Sequence, residues 1–123
     1  MKYFADTFAI IEYLKDNSRF IPFFEKHEII LTKLNLMELY YSALLEQNEE
    51  IAEKYYSSFL DKTIEISDHV IKEAVKFRFR NKMKNMSYVD CIGYQIAKTE
   101  KCKFLTGDKA FKEIPNVEWI PSK

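Results

Sequence analysis

The sequence predicts an α/β fold, three-layer α/β/α with a central parallel sheet. Three observations carry that expectation. Short apolar runs rich in β-branched and aromatic residues alternate with longer stretches of helical periodicity. No linker, repeat or low-complexity tract interrupts the 123 residues, so one domain over residues 1–123 is expected. The composition, 47% hydrophobic and 15% aromatic, supplies enough apolar surface to cover a sheet on both faces.

Taken in order, Tyr3-Phe4-Ala5 reads as the first strand and stops at Asp6. Phe8, Ile10, Ile11 and Leu14 then share one helix face. Glu28-Ile29-Ile30-Leu31 is the second strand, followed by a helix carrying Leu36, Leu39, Tyr40, Ala43 and Leu44. Ile51, Tyr55, Phe59 and Leu60 predict a helix over about residues 49–60. Thr63-Ile64-Glu65-Ile66 alternates as a third strand does. Val70, Ile71, Ala74, Val75 and Phe77 predict a helix from near Asp68 to Lys82. Val89, Ile92, Ile96 and Ala97 predict another from Ser87. Lys103-Phe104-Leu105 and Val117-Glu118-Trp119 are the last two strands. Strands alternating with helices form βαβ units, hence the parallel sheet.

Several chemistries are excluded early. Gly93 and Gly107 are the only glycines, so neither glycine-rich phosphate loop can be built. His27 and His69 are too far apart for a zinc helix; they read as a surface residue and a helix-start residue. Cys91 and Cys102 form no C-x-x-C pair and are too few to staple a secreted domain, which suits a reducing cytoplasm. Cys91 has no histidine near it in sequence to activate it and reads as a packing residue. The net charge is zero, which argues against a general nucleic-acid coat but permits a local basic patch. Asp6 interrupts the N-terminal apolar run, and no stretch approaches the roughly 18 apolar residues of a membrane span. A cytoplasmic protein without membrane contact is expected.

Carboxylates are the best-supplied chemistry. Asp6 follows the first strand, Glu38 lies in the first turn after the second, Asp90 in the first turn of the Ser87 helix, and Asp108 after Phe104-Leu105 and the turn Thr106-Gly107. In an open parallel sheet, ligands bind at the carboxyl ends of the strands. Each acid also has a local explanation. Asn35-Leu36-Met37-Glu38 and Ser87-Tyr88-Val89-Asp90 fit capping boxes, Asp6 fits an N-cap and Asp108 a turn. Capping alone does not predict convergence. Two carboxylates ~6 Å apart repel by roughly 3 kcal/mol at an effective dielectric of ~20. Six such pairs rival a domain's whole stability of about 5–15 kcal/mol. A converged cluster therefore needs protons or a cation, and an all-oxygen site suits Mg²⁺ or Mn²⁺.

The order and spacing of these pieces resemble the PIN domain, a family of metal-dependent ribonucleases that includes the VapC-type toxins of toxin–antitoxin pairs. The matching pieces are the apolar strand into Asp6-Thr7, Asn35-Leu36-Met37-Glu38-Leu39, Ser87-Tyr88-Val89-Asp90 and Leu105-Thr106-Gly107-Asp108-Lys109-Ala110-Phe111. Phe8 departs from the Asn or Ser common in the family; Cys91 follows Asp90, and Gly93 stands where alanine is frequent. The resemblance implies sheet order 3-2-1-4-5 and a metal-dependent endoribonuclease leaving 5′-phosphate and 3′-hydroxyl ends. It implies that Asp6, Glu38, Asp90 and Asp108 are catalytic and hold Mg²⁺ or Mn²⁺. Thr7 and Thr106 would support them, Thr106 by orienting a water or an acid, or merely by forming the turn. It also implies an antitoxin partner and a homodimer.

Lys72, Lys76, Arg78, Arg80, Lys82 and Lys84 face only Glu73 as an acid, a local net charge of +5. Arg78, Arg80, Lys82 and Lys84 are the candidate RNA-backbone contacts, with Phe77 or Phe79 as a stacking face; a solvated helix with core phenylalanines is the other reading. Residues 46–65 carry six acids against Lys54 and Lys62 and are not expected to meet RNA. Tyr40-Tyr41 and Tyr55-Tyr56 suit either a partner surface or core packing with wet hydroxyls. Two other functions stay open: a non-catalytic PIN-like binding module in an RNA-processing assembly, and an aspartate-based phosphotransfer or receiver domain. The first would show a lost acid, and none is missing. The second is weakened by the lack of a second aspartate two positions after Asp6.

Overall fold

A computed structural model describes residues 1–123. Four strands form the sheet: β1 (Lys2–Ala5), β2 (Glu28–Ile30), β3 (Lys103–Thr106) and β4 (Val117–Trp119). Their order is β2-β1-β3-β4 and every pairing is parallel, with Phe4 beside Ile30 on one side and Phe104 on the other. Six α-helices connect them: α1 (Thr7–Leu14), α2 (Ile21–Lys26), α3 (Lys33–Glu46), α4 (Glu49–Phe59), α5 (Asp68–Arg80) and α6 (Tyr88–Thr99). The parallel sheet and flanking helices give the expected α/β/α class.

Strand alternation explains the two covered faces. Phe4 stacks on Phe104 at 5.9 Å between ring centroids, and both rings meet α6, where Tyr94 lies edge-on to Phe104 at 6.1 Å. Phe77 of α5 stacks on Tyr94 at 4.6 Å and extends this layer. The neighbouring Tyr3 turns the other way, edge-on to Phe23 of α2 at 5.1 Å. Helix α1 packs on β1 and β3, with α3 beside it and α4 on α3.

Most helices begin where a polar side chain satisfies an otherwise unpaired N–H. Asn48 Oδ1 accepts from Ile51 N at 2.8 Å, and Ser67 Oγ accepts from Val70 N at 3.1 Å. Three expectations need correction. Residues 63–66 form no strand; Thr63 makes a single parallel bridge to Leu31, in the position of the expected third strand. The reason is local: after Leu31 the chain turns at once into the Thr32 cap of α3, so β2 offers one residue for pairing. Helix α5 stops at Arg80, because Asn81 folds its side-chain amide back to Phe77 O at 2.9 Å; Lys82–Lys84 form a separate 3₁₀ turn. Helix α2 was not expected. Pro22 pre-sets the backbone in its first turn, and Phe24 stacks on Tyr13 at 4.3 Å. No helix is long and apolar enough to cross a membrane.

Gly93 sits where α6 crosses Phe4 and Phe104. A Cβ there would lie 2.5 Å from Phe4 Cε1 and 3.0 Å from Phe104 Cε1, and both rings are fully buried. Gly93→Ala recovers about 1 kcal/mol of helix propensity and is opposed by about 1–3 kcal/mol of overpacking. The expected net result is a lower urea midpoint. An unchanged or raised midpoint would mean that the two rings move aside freely.

Candidate functional site

The site is built at the carboxyl ends of β1 and β3. Asp6 leaves β1 with its backbone N donating to Leu105 O at 3.1 Å, which keeps it in register with β3. It caps α1: Oδ1 accepts from Ala9 N at 2.8 Å. Oδ2 accepts from the Thr106 hydroxyl, the last residue of β3. Thr106 Oγ1 in turn accepts from Asp108 N at 3.0 Å. Asp108 Oδ1 accepts from Ala110 N at 3.0 Å, and its carbonyl accepts from the Trp119 indole of β4 at 3.1 Å. One line of hydrogen bonds thus runs from β4 through Asp108 and Thr106 to Asp6.

A second line holds Glu38. Thr32, not Asn35, caps α3; Asn35 closes that box by accepting from Thr32 N at 3.0 Å. Glu38 therefore lies in the second turn of α3 and plays no part in capping, which corrects the expected Asn35–Glu38 box. Asn35 Nδ2 donates to Thr7 Oγ1 at 3.1 Å, and Thr7 Oγ1 donates to Glu38 Oε1 at 2.6 Å. Asp90 comes from α6, whose cap is Ser87; Ser87 Oγ accepts from Asp90 N at 3.0 Å.

Electrostatics ties the four acids together. Asp6 is 1% exposed, and its carboxyl is held well above the usual carboxylate range by burial, then by the charges of Asp90 and Asp108. Hydrogen bonds from Thr106 and Ala9 oppose that rise. Asp90 is pushed up to about 7, first by burial, then by Glu38 and Asp108. The acids lie within electrostatic reach of one another, yet no three of the His, Cys, Asp or Glu side chains form a finished cation cage. Asp6, Glu38 and Asp108 each have an oxygen held by a neutral donor. The donor set is nonetheless all oxygen and anionic, which fits a hard divalent cation.

Asp6 is buried, whereas Glu38, Asp90 and Asp108 are each partly exposed. Cys91 is buried and its thiol is pushed up to about 11 by burial and by the Asp90 charge, which suits packing rather than nucleophilic attack. Phe77 is buried, whereas Phe79 is 69% exposed. Arg78 reaches from α5 toward this edge and donates Nε–H to Met86 O at 2.7 Å. Its guanidinium lies 4.3 Å from the centroid of the Tyr88 ring. Arg80, Lys82 and Lys84 are exposed, with Lys82 Nζ 4.9 Å from the centroid of Phe79. Tyr88 is missing from the sequence-based candidates; its place two residues before Asp90 was the available signal.

A family model described as the PIN domain matches residues 3–117. No curated protein matches the chain in sequence. Among solved structures, the chain is similar to one from a toxin–antitoxin complex of Klebsiella pneumoniae, at 20% identity and TM-score 0.75, covering 98% of each chain. It is also similar to a chain of VapBC2 from Rickettsia felis bound to a DNA fragment from its promoter, at 19% identity and TM-score 0.74, again over 98% of each. A chain of VapBC-1 from nontypeable Haemophilus influenzae matches at 19% identity and TM-score 0.70, over 99% of this chain and 98% of that one.

The Asp90 value gives a pH prediction with a definite sign. An unfolded aspartate titrates near 3.8, and folded Asp90 near 7. Between those values the native state holds a proton that the unfolded state has released, so stability falls as pH rises through the window. In chelator, the Asp90 contribution should lower the melting temperature progressively from about pH 4 to about pH 8. Asp90→Asn should flatten that decline and melt higher than the parent at the alkaline end. If Asp90 serves only to start α6, the variant melts lower throughout.

Proposed function

The chain belongs to the PIN domain family, and from that premise we propose that it is a metal-dependent endoribonuclease, the toxin of a toxin–antitoxin pair. The observation that carries this reading is the buried Asp6 at the carboxyl edge of a parallel sheet, bonded to Thr106 and within reach of the charges of Asp90 and Asp108, with Glu38 acting in turn on Asp90. These four residues would hold Mg²⁺ or Mn²⁺, which when bound supplies a more acidic water and stabilises charge developing on a phosphodiester.

The chain's own residues do the positioning. Thr106 and the Ala9 amide orient Asp6, and Thr7 orients Glu38, so two acids are fixed before substrate arrives. Three partly exposed acids at a sheet edge suit a polymer lying across it. The basic stretch from Lys72 to Lys84 supplies backbone contacts beside that edge.

The proposed partners are an antitoxin and a second copy of the chain. Met37, Tyr41, Leu44 and Leu45 form an exposed apolar stripe on α3 that a protein partner would cover. Two free, buried cysteines suit a cytoplasmic, reducing setting.

The decisive experiment incubates purified protein with total RNA in Mg²⁺, in Mn²⁺ or in chelator, and identifies the fragment ends. Cleavage in either metal and none in chelator is expected, with 5′-phosphate ends. Asp6→Asn and Asp90→Asn should each lower the rate by about 100-fold or more. The stabilisation conferred by Mn²⁺ in thermal unfolding should shrink in both. Cleavage retained in chelator, or in Asp90→Asn, would overturn the assignment.

A further inference from the structure

Where α5 meets the start of α6, a cation is held without any acid partner. The ion pairs of the chain are Lys2–Glu100 and Lys76–Glu73, so Arg78 is in neither. It is nevertheless fixed at two points: Nε–H donates to Met86 O at 2.7 Å, and the guanidinium lies 4.3 Å from the Tyr88 centroid. Both Nη groups donate to no protein acceptor. Its charge reaches Cys91, the residue after Asp90. Tyr88 is 58% exposed, with the guanidinium over its ring. Phe79 and Lys82 repeat the arrangement of an exposed ring with a cation over it.

We propose that Tyr88 and Arg78 form one recognition unit where α5 meets the start of α6: an unpaired RNA base stacks on the exposed ring of Tyr88, and the Nη groups of Arg78 take an adjoining phosphate. This rests on the ribonuclease reading and assigns two residues that meet the RNA. A base is free to stack on a side chain only where it has left its own helix. An arginine already bound through Nε keeps its Nη fork in one orientation, so less freedom is lost when it meets phosphate. RNA is favoured over a second copy of the chain by charge. A two-fold interface through this face would set the +5 stretch of Lys72–Lys84 against itself, whereas a phosphate backbone complements it.

The test measures binding, not cleavage. A labelled single-stranded oligoribonucleotide and its duplex are titrated in chelator with the parent, Tyr88→Ala, Tyr88→Phe and Arg78→Ala, at several salt concentrations. Tyr88→Ala should weaken single-strand binding about tenfold and leave duplex binding unchanged. Tyr88→Phe should bind as the parent does, since the ring is kept. Arg78→Ala should lower the salt slope by about 0.7, one phosphate contact on a single strand. The proposal is overturned if Tyr88→Ala binds single strands as the parent does or weakens both forms equally. It is also overturned if that variant turns a dimer into a monomer, which makes this face an interface between copies. A parent that cleaves RNA while Tyr88→Ala binds normally overturns only this proposal. A parent that shows the stacking effect but never cleaves overturns only the ribonuclease reading.

Discussion

Everything at the acidic edge depends on the burial of one carboxyl group. Asp6 is the first residue beyond the central strand β1, and its hydrogen bonds tie β1 to two elements: backbone N and Oδ2 to Leu105 and Thr106 of β3, and Oδ1 and the carbonyl to Ala9 and Ile10 of α1. A buried polar group without partners costs about 1–3 kcal/mol, and an unpaired charge far more. Neutral donors thus make the position tolerable while leaving its charge uncompensated. The same bonds fix where β1 ends, where α1 begins and how far Thr106 stands from the acid, so fold and site are set by one constraint.

The consequence is an edge at odds with folding. A buried Asp6 and an Asp90 pushed up to about 7 mean that the fold holds acids where ionisation opposes it. Such an arrangement persists only because the core compensates. Twenty-four buried residues form one cluster, and the stacked Phe4–Phe104 pair beneath Gly93 anchors the two strands that carry Asp6 and Asp108. Rigid support under a charged edge is what an orienting site requires.

Most of this architecture was legible because hydrophobic periodicity and strand-end position are local signals. The runs around Phe4, Ile30 and Phe104 announced strands, and Asp6, Asp90 and Asp108 were identified from their places after a strand or in a helix's first turn. What escaped was set by competition between neighbours. Thr32 and Asn35 both suit a cap, and the earlier one won; Glu38 was thereby placed one turn deeper in α3, where Thr7 reaches it. Thr63–Ile66 has strand alternation, but β2 ends too soon to pair with it. Phe77 and Phe79 could be told apart only once α5 was seated on α6, which turned one ring inward and the other out. Tyr88 was masked by its motif: between a serine cap and an aspartate it read as filler.

The charge pattern now has a physical reading that the net value hides. Nineteen bases and nineteen acids cancel in sum, yet they are segregated. Acids gather at the strand edge and along residues 46–65, and cations gather along α5 and the turn after it. A polyanion approaching four coupled carboxylates is repelled unless a neighbouring surface attracts it more strongly. Arg78 lies at that border, close enough for its charge to reach Cys91 but bound to a carbonyl and a ring instead of an acid. Had it paired with Asp90, it would have neutralised both the acid and itself. Tied to Met86 and Tyr88, it leaves the acids anionic for a cation and keeps its own charge for a phosphate.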